Sequence, residues 1–170
     1  MGYVCKIASI SDMNKKWDYE IEHASSNKEN WIYWKKESIQ NKKDKKQIPY
    51  YGILDGKIIC EATASIDPSV VQNKDGLVSS NIAYLTGFRT IKEYQGQGYF
   101  SKLFWYMIND LKGRGYEAVT LGVEPDEVRN MMIYFHYGFL EYVKSGMEFY
   151  PNGTGVFVLY YKKNLLDKFK

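Results

Sequence analysis

The chain of 170 residues has 45% hydrophobic residues and a formal net charge of +3, from 23 Lys and Arg against 20 Asp and Glu. This length suits one compact domain with its own core, so we expect residues 1–170 to form a single domain. The charge is too small to favour nucleic-acid binding, and no apolar run approaches the ~20 residues of a membrane-spanning helix.

The first part of the chain predicts a strand followed by two helices. The strand is expected over residues 3–10, and Ser11 with Asp12 offers a cap for a helix that begins near residue 13. The helical pattern continues to about residue 47. Residues 35–46 hold six lysines, a run that is typical of a solvated helix end or loop.

A hairpin is predicted next. Residues 49–54 and 57–66 flank Asp55 and Gly56, a dipeptide that accepts the positive φ angles of a tight primed turn. Residues 67–81 are polar and read as a long loop between strands.

The strongest helix follows a further strand. The strand is predicted over residues 82–91 and contains Gly87, and a short β-rich run covers residues 116–123. Between them a buried stripe recurs at helical spacing, and Gly113 and Gly115 are stop signals. The stripe consists of Phe100, Leu103, Phe104, Met107, Ile108 and Leu111.

The last part of the chain predicts one helix and a second hairpin. Pro125 with the two acidic residues after it is typical of a helix start, and Gly138 ends that helix. Residues 139–150 and 156–163 form the hairpin, with Asn-Gly at residues 152–153 as its turn.

The order of these elements predicts an α/β fold with a mixed, largely antiparallel central sheet and helices on both faces. The hairpins supply antiparallel pairs. The strand, helix and strand within residues 82–123 supply one parallel pair by a right-handed crossover.

Residues 93–101 carry the clearest signal for a ligand. Gly96 and Gly98 lie at the mouth of the strongest helix, where a backbone without side chains and free N–H groups suit a phosphate. A tight turn without a ligand fits the same pattern. A Walker A sequence is absent from the chain, and Ser101 stands where a dinucleotide fingerprint needs its third glycine.

Cysteine and histidine are too few to indicate another chemistry. Cys5 and Cys60 do not make a disulfide framework, and the start of the chain does not resemble a secretory signal, so we expect a reduced, cytoplasmic protein. The histidines His23 and His136 form no zinc-binding spacing with them. No local signature supports a nucleophile triad.

The run Tyr-Gln-Gly-Gln-Gly-Tyr-Phe-Ser-Lys-Leu at residues 94–103 resembles the acyl-CoA signature of the GNAT N-acetyltransferases, Arg/Gln-x-x-Gly-x-Gly/Ala. Gln95 and Gly98 match it. Phe100 stands where the family prefers a small residue, and since it begins the apolar stripe we expect it to turn inward.

A second block, at residues 133–139, resembles the family's helical Leu-Tyr followed by Gly-Phe. Tyr134 is the matching tyrosine. The asparagine that often precedes it by two turns is replaced by Glu127, whereas Asn130 lies one turn before Tyr134 on the same helix face.

The resemblance implies that acetyl-CoA, as co-substrate and without a metal, lies where the fourth and fifth strands splay apart. Gly87 and Gly122 lie in these two strands and fit a bulge or a close backbone approach. The residues expected to bind the cofactor are Phe88, Arg89, Thr90, Gln95, Gly96, Gln97, Gly98, Tyr99, Phe100, Ser101 and Asn130.

The family's chemistry is direct attack of an amine on the thioester. By motif match, Tyr134 donates a proton or hydrogen bond to the departing sulfur. A carboxylate must help remove the amine proton, and Glu124 after the fifth strand is the candidate, with Glu61 of the third strand as the other choice. The acceptor is expected to meet residues 13–47, 67–81 and 147–155.

The resemblance therefore implies an acetyl-CoA-dependent N-acetyltransferase acting on an amine of a small molecule or peptide. The alternative is a noncatalytic acyl-CoA-binding sensor or regulatory module. A nucleic-acid binder using the lysine run ranks last, and neither nucleic acid nor a membrane is an expected partner. The pattern does not fix the oligomeric state, and a homodimer is compatible with it.

Overall fold

The computed structural model describes residues 2–166. It contains seven strands and four α-helices in that range, with short 3-10 turns at Pro68–Val70 and Lys92–Tyr94. The strands are β1 (Tyr3–Ile7), β2 (Gln47–Leu54), β3 (Lys57–Ser65), β4 (Ile82–Thr90), β5 (Ala118–Val123), β6 (Glu141–Phe149) and β7 (Gly155–Asn164). The helices are α1 (Ile10–His23), α2 (Lys28–Lys43), α3 (Tyr99–Gly113) and α4 (Val128–His136).

All seven strands join one sheet in the order β1-β2-β3-β4-β5-β7-β6. β4 and β5 run parallel because α3 crosses over between them, and the other neighbouring strands are antiparallel. The mixed, largely antiparallel sheet predicted from the sequence is thereby confirmed. No helix within residues 2–166 is both long and apolar enough to cross a membrane.

The two faces of the sheet bury different helices, as the alternation of side chains along β2 shows. Tyr50 packs with the apolar stripe of α3, and its hydroxyl donates a hydrogen bond of 2.6 Å to Asp110. Its neighbour Tyr51 faces the other way and packs with Met13 of α1 and Ile39 of α2. Helices therefore cover both faces, as predicted.

β4 and β5 separate towards their carboxyl ends. Their pairing is confined to residues 82–85 of β4 and 118–121 of β5. Beyond that point β4 stays paired with β3, and β5 stays paired with β7. The splay that the resemblance implied is present.

A bulge marks the start of the splay. Glu61 lies opposite Arg89 and Thr63 lies opposite Thr86, so β4 carries one more residue than β3 between these pairs. Gly87 lies inside the bulge with a φ of +67°, a value that few other residues adopt without strain. The expected irregularity at this glycine is confirmed.

The predicted start of the first helix was wrong. The first strand ends at Ile7, and α1 begins at Ile10 with Ser9 as its cap. The Ser9 hydroxyl accepts from the N–H of Asp12 at 3.1 Å, and the Ser9 N–H donates to the Asp12 carboxylate at 3.0 Å. This reciprocal capping box needs the Ser-x-x-Asp spacing, which Ser11 does not have.

Two further boundaries differ from the prediction. Pro125 precedes the last helix instead of opening it, because α4 begins at Val128. The second hairpin is closed by the five residues 150–154, within which Gly153 has a positive φ of +89° and Asn152 does not. The first hairpin has the predicted primed turn, with φ angles of +48° and +84° at residues 55 and 56.

Candidate active site

The loop before α3 is open on one side. Gly96 and Gly98 have φ angles of +73° and +85°, and a Cβ atom at either residue would meet no atom within 4 Å. The Gln95 side chain donates to the carbonyl of Thr90 at 3.1 Å, which ties the loop to the end of β4. The loop therefore presents bare backbone to a ligand while its base is held in place.

The amino end of α3 offers free hydrogen-bond donors. Gly98 caps the helix without a side-chain hydrogen bond, and the N–H of Lys102 is bonded to the Gly98 carbonyl at 3.2 Å. The N–H groups of Tyr99, Phe100 and Ser101 precede that first helical bond and lie at the positive end of the helix dipole. This arrangement suits the phosphates of a nucleotide-like cofactor.

A cleft of about 710 Å³, which we call the α3–α4 cleft, extends from this loop along the free edge of β4 to α4. Gln97 and Glu124 are not part of its lining; the Gln97 side chain instead donates to the carbonyl of Glu93 at 2.9 Å. The predicted site residues that line the cleft are Phe88, Arg89, Thr90, Gln95, Gly96, Gly98, Tyr99, Phe100, Ser101, Asn130 and Tyr134.

Aromatic rings form the wall of this cleft. Phe100 packs at 5.1 Å from Phe88 and at 6.2 Å from Tyr137, measured between ring centroids. The structure thus places Phe100 inward, as its position in the apolar stripe predicted. Tyr134 packs edge-on against the same Phe88 at 5.8 Å, so the motif tyrosine and the end of β4 lie side by side.

The Tyr134 hydroxyl is suited to donate a hydrogen bond. Burial of the half-buried ring, with a smaller contribution from the carboxylate of Glu127, raises the pKa of Tyr134 to about 12. The phenol is therefore fully protonated near neutral pH.

Carboxylates lie just beyond the cleft. Glu127 accepts a hydrogen bond from the side-chain amide of Asn130, which orients Asn130 within the cleft wall. A hydrogen bond with Glu127, with help from burial, raises the pKa of Glu124. Glu124 thus lies near the end of β5, as predicted, but beside the cleft and not in its wall.

Two cavities lie on the opposite face of the sheet, under α1 and α2. The inner cavity has a volume of about 420 Å³ and borders Tyr84, Thr86 and Gly87 of β4. The outer cavity, of about 840 Å³, extends from there past the carboxyl end of β4. The residues that line both are Lys16, Trp31, Trp34, Glu61 and Arg89.

All three segments expected to meet an acceptor contribute to these cavities. Residues 13–47 contribute Met13, Trp17 and Asn41 to the lining of the inner cavity, and the 67–81 loop contributes Gln72. Residues 147–155 contribute Glu148 to the same lining. The structure brings these distant segments together on one side of the bulge in β4.

Glu61 is buried beside the bulge. A Cβ atom at Gly87 would lie 3.7 Å from one carboxylate oxygen of Glu61, and the other oxygen is bound to the Lys16 ammonium at 2.8 Å. Burial raises the pKa of Glu61 and lowers the pKa of Lys16, and their mutual attraction opposes both shifts. Arg89 is paired in turn with Glu20 at 2.7 Å.

The sequence reasoning did not single out Glu148 or Tyr84, which line the inner cavity, or the buried Tyr160, which is hydrogen-bonded to Glu148. Strand alternation can indicate that Glu148 and Tyr160 lie on one face of their strands. It cannot show that β6 and β7 bring this face to β4, because the order of strands in the sheet is a tertiary property.

Comparisons with known proteins agree with this geometry. The sequence matches the model of the acetyltransferase (GNAT) family over residues 9–139. N-alpha-acetyltransferase 30 of Schizosaccharomyces pombe is 35% identical over 74 residues, which are 44% of this chain and 49% of that protein. The match thus spans about half the length of this curated relative.

Solved structures share the fold over nearly the whole chain. The ribosomal-protein-S18-alanine N-acetyltransferase of Escherichia coli gives a TM-score of 0.69 at 15% identity, covering 99% of this chain and 97% of that chain. A putative acetyltransferase of Salmonella typhimurium with its cofactor acetyl-CoA gives 0.66 at 12% identity, covering 100% and 98%. Since the family model spans more than half of the sequence and includes both motif blocks, the chain belongs to the GNAT acetyltransferase family.

Proposed function

We propose that the protein is an N-acetyltransferase that moves the acetyl group of acetyl-CoA to an amine of a small molecule or peptide by direct attack. One observation carries the proposal. The α3–α4 cleft joins a phosphate-suited helix mouth, the free edge of β4 and the Tyr134 hydroxyl in one groove. A cofactor with a phosphate end and a thioester end matches both ends of that groove.

The residues of the cleft have separate roles in this proposal. The N–H groups at the mouth of α3 bind the pyrophosphate, and Asn130 adds a polar contact from α4. The backbone edge from Phe88 to Thr90 pairs with the amide groups of the pantetheine arm. A backbone N–H of the same edge stabilises the oxyanion that forms when the amine attacks.

The reaction requires a neutral amine and a stabilised thiolate. The amine nitrogen bonds to the thioester carbon, the C–S bond breaks, and the electron pair leaves on sulfur. Because the pKa of Tyr134 is about 12, above the ~8.5 of a thiol, its phenol donates a hydrogen bond to the departing sulfur and keeps most of its own proton. The proton that the amine releases then protonates the thiolate, so that CoA leaves as the free thiol.

A carboxylate acting through water is the expected base. Glu124 remains our candidate, because its raised pKa makes it a better proton acceptor than an ordinary carboxylate and it lies at the end of β5. Glu61 is less suited to this role, because its charge is already bound to Lys16.

Calorimetric titration with acetyl-CoA tests the proposal, with ATP and NAD as comparison ligands at the same salt concentration. We expect one-site binding of acetyl-CoA and no comparable binding of ATP or NAD. Amine-dependent release of free CoA thiol then separates an enzyme from a noncatalytic acyl-CoA sensor. Absence of acetyl-CoA binding overturns the proposal.

A further inference from the structure

The Glu148 carboxylate lies in the wall of the inner cavity, where hydrogen bonds hold it in one orientation. The Tyr160 hydroxyl donates to one of its oxygens at 2.5 Å, and the Tyr84 hydroxyl donates to the same oxygen at 3.3 Å. Tyr160 itself accepts from the side-chain amide of Asn73 at 2.9 Å. These bonds fix the carboxylate and use only one of its two oxygens.

Glycines permit this arrangement. A Cβ atom at Gly122 would lie 3.0 Å from the Tyr84 hydroxyl and from the Tyr160 ring, and one at Gly146 would lie 3.0 Å from the Asn73 amide. Side chains at these two positions would displace the groups that hold Glu148. The orientation of the carboxylate therefore depends on residues of four strands, β4 to β7.

The inner cavity has negative charge without a matching cation. Its two basic residues, Lys16 and Arg89, are bound to Glu61 and Glu20. Within residues 2–166 no salt bridge reaches Glu148. A cation entering the cavity would find this carboxylate oriented and unneutralised.

Aromatic rings contribute to the walls of both cavities, with Trp31 and Trp34 in both linings and Tyr150 in the outer one. Trp31 and Trp34 meet edge-to-face at 5.3 Å, and Tyr150 from the β6–β7 connection meets Trp34 at 5.9 Å. The Arg89 guanidinium already lies over Trp31, at 5.0 Å from the ring centroid. Indole faces attract both apolar groups and cations, so the wall suits an amine with an apolar body.

The position of the cavity relates it to the transfer reaction. Gly87 lines the inner cavity, while its neighbour Phe88 lines the α3–α4 cleft. We propose that Glu148 and Trp34 bind the acceptor as its ammonium form, which gives up a proton to the base before the neutral amine attacks. The acceptor is then a compact primary amine with an aromatic or apolar body. This inference rests on the proposed function, and the cavity volume of about 420 Å³ suits a small molecule.

The test uses 2-phenylethylamine as the amine and an alanine-initiated peptide with a free N-terminus as the competitor. We expect the wild type to acetylate the amine with a higher kcat/KM than the peptide. Glu148→Gln should raise KM for the amine about tenfold to a hundredfold, since a charge-assisted contact is lost. The affinity for acetyl-CoA should stay unchanged in calorimetry.

Glu141→Gln is the matched control, because Glu141 lies on the same strand but outside both cavities. It should leave KM for the amine unchanged. A Glu148→Gln variant whose KM stays within twofold of wild type overturns the inference, as does a clear preference for the peptide.

A second readout does not depend on turnover. Binding of 2-phenylethylamine should change the tryptophan fluorescence of the wild type, and both Glu148→Gln and Trp34→Leu should weaken that binding at least tenfold. Unchanged binding in both variants overturns the inference even if one variant is unstable. Failure of acetyl-CoA to bind the wild type counts against the proposed function, whereas failure of the amine to bind counts against this inference alone.

Discussion

Two tyrosines line the α3–α4 cleft, Tyr134 within α4 and Tyr137 directly after its last residue, and they meet different rings. The ring centroid of Tyr137 lies 4.3 Å from that of Phe104, whereas Tyr134 meets Phe88 at the end of β4. Burial raises the pKa of Tyr134 to about 12. The comparison of these side chains gives a direct test of the role of Tyr134.

Tyr134→Phe should lower kcat about a hundredfold while the acetyl-CoA dissociation constant changes little. The change removes a hydrogen-bond donor to the thiolate and leaves the ring packing in place. Steady-state kinetics and calorimetry measure the two quantities. Tyr137→Phe is the control and should retain most of kcat.

The direction of the pKa shift also predicts how kcat of the wild type depends on pH. Because burial raises the pKa of Tyr134, its donor form persists up to about pH 12. Ionisation of this phenol should therefore produce no fall of kcat between pH 8 and 10. Equal kcat values for wild type and Tyr134→Phe would show that the hydroxyl has no part in transfer.

The proposed function makes cofactor binding depend on the mouth of α3. Gly98→Val places a β-branched residue at a φ of +85°, a conformation that costs about 1–2 kcal/mol for residues with a Cβ atom. The added side chain points into open space, so it meets the ligand and not the protein. Acetyl-CoA affinity should fall at least tenfold, as measured by calorimetry.

Gly115→Val separates strain from ligand contact. Gly115 has a φ of +96° and likewise has no atom within 4 Å of an added Cβ, but it lies beyond the far end of α3. The two variants should lose similar amounts of thermal stability, and only the variant at residue 98 should lose affinity. Retained affinity in Gly98→Val removes the loop from the site.

The sequence predicted most of the helices and strands but misplaced some of their ends. The stripe of α3 and the Asp55-Gly56 turn are local signals, and both were confirmed. The start of α1 was wrong because two serines compete for the cap, and only Ser9 has an acidic residue at the required spacing. Such local choices depend on where the preceding strand ends.

A buried ion pair joins the helical layer to the sheet of the whole molecule. Lys16 of α1 is bound at 2.8 Å to Glu61 of β3, and both side chains are almost fully buried. Lys16→Met leaves the carboxylate without its partner and should lower the free energy of unfolding by about 3 kcal/mol. Urea denaturation measures this loss.

The double variant Lys16→Met, Glu61→Gln should lose less stability than Lys16→Met alone, because no buried charge is left unpaired. Lys35→Met is the control. Its partner Asp18 lies at 2.6 Å but is 64% exposed, so the change should cost less than about 1 kcal/mol. A loss as small for Lys16→Met would contradict the structural importance of the buried pair.

The sequence predicted part of the candidate site. Residues that lie close together along the chain were recognised, and residues that come from distant segments were not. Most of the residues expected to bind the cofactor lie in or near two motif blocks with recognisable spacing, so the sequence named most of the lining of the α3–α4 cleft. The inner cavity gathers Trp34, Tyr84 and Glu148 from three separate regions. No local pattern links these residues, because only the strand order brings them together.

The bulge at Gly87 lies between the inner cavity and the α3–α4 cleft. Neighbouring residues of one strand, Gly87 and Phe88, border hollows on opposite faces of the sheet. The outer cavity and the α3–α4 cleft share Arg89, Thr90 and Gln95 in their linings, so the hollows of the two faces adjoin at the carboxyl end of β4. Under the proposed function, this architecture favours a complex that holds donor and acceptor at the same time.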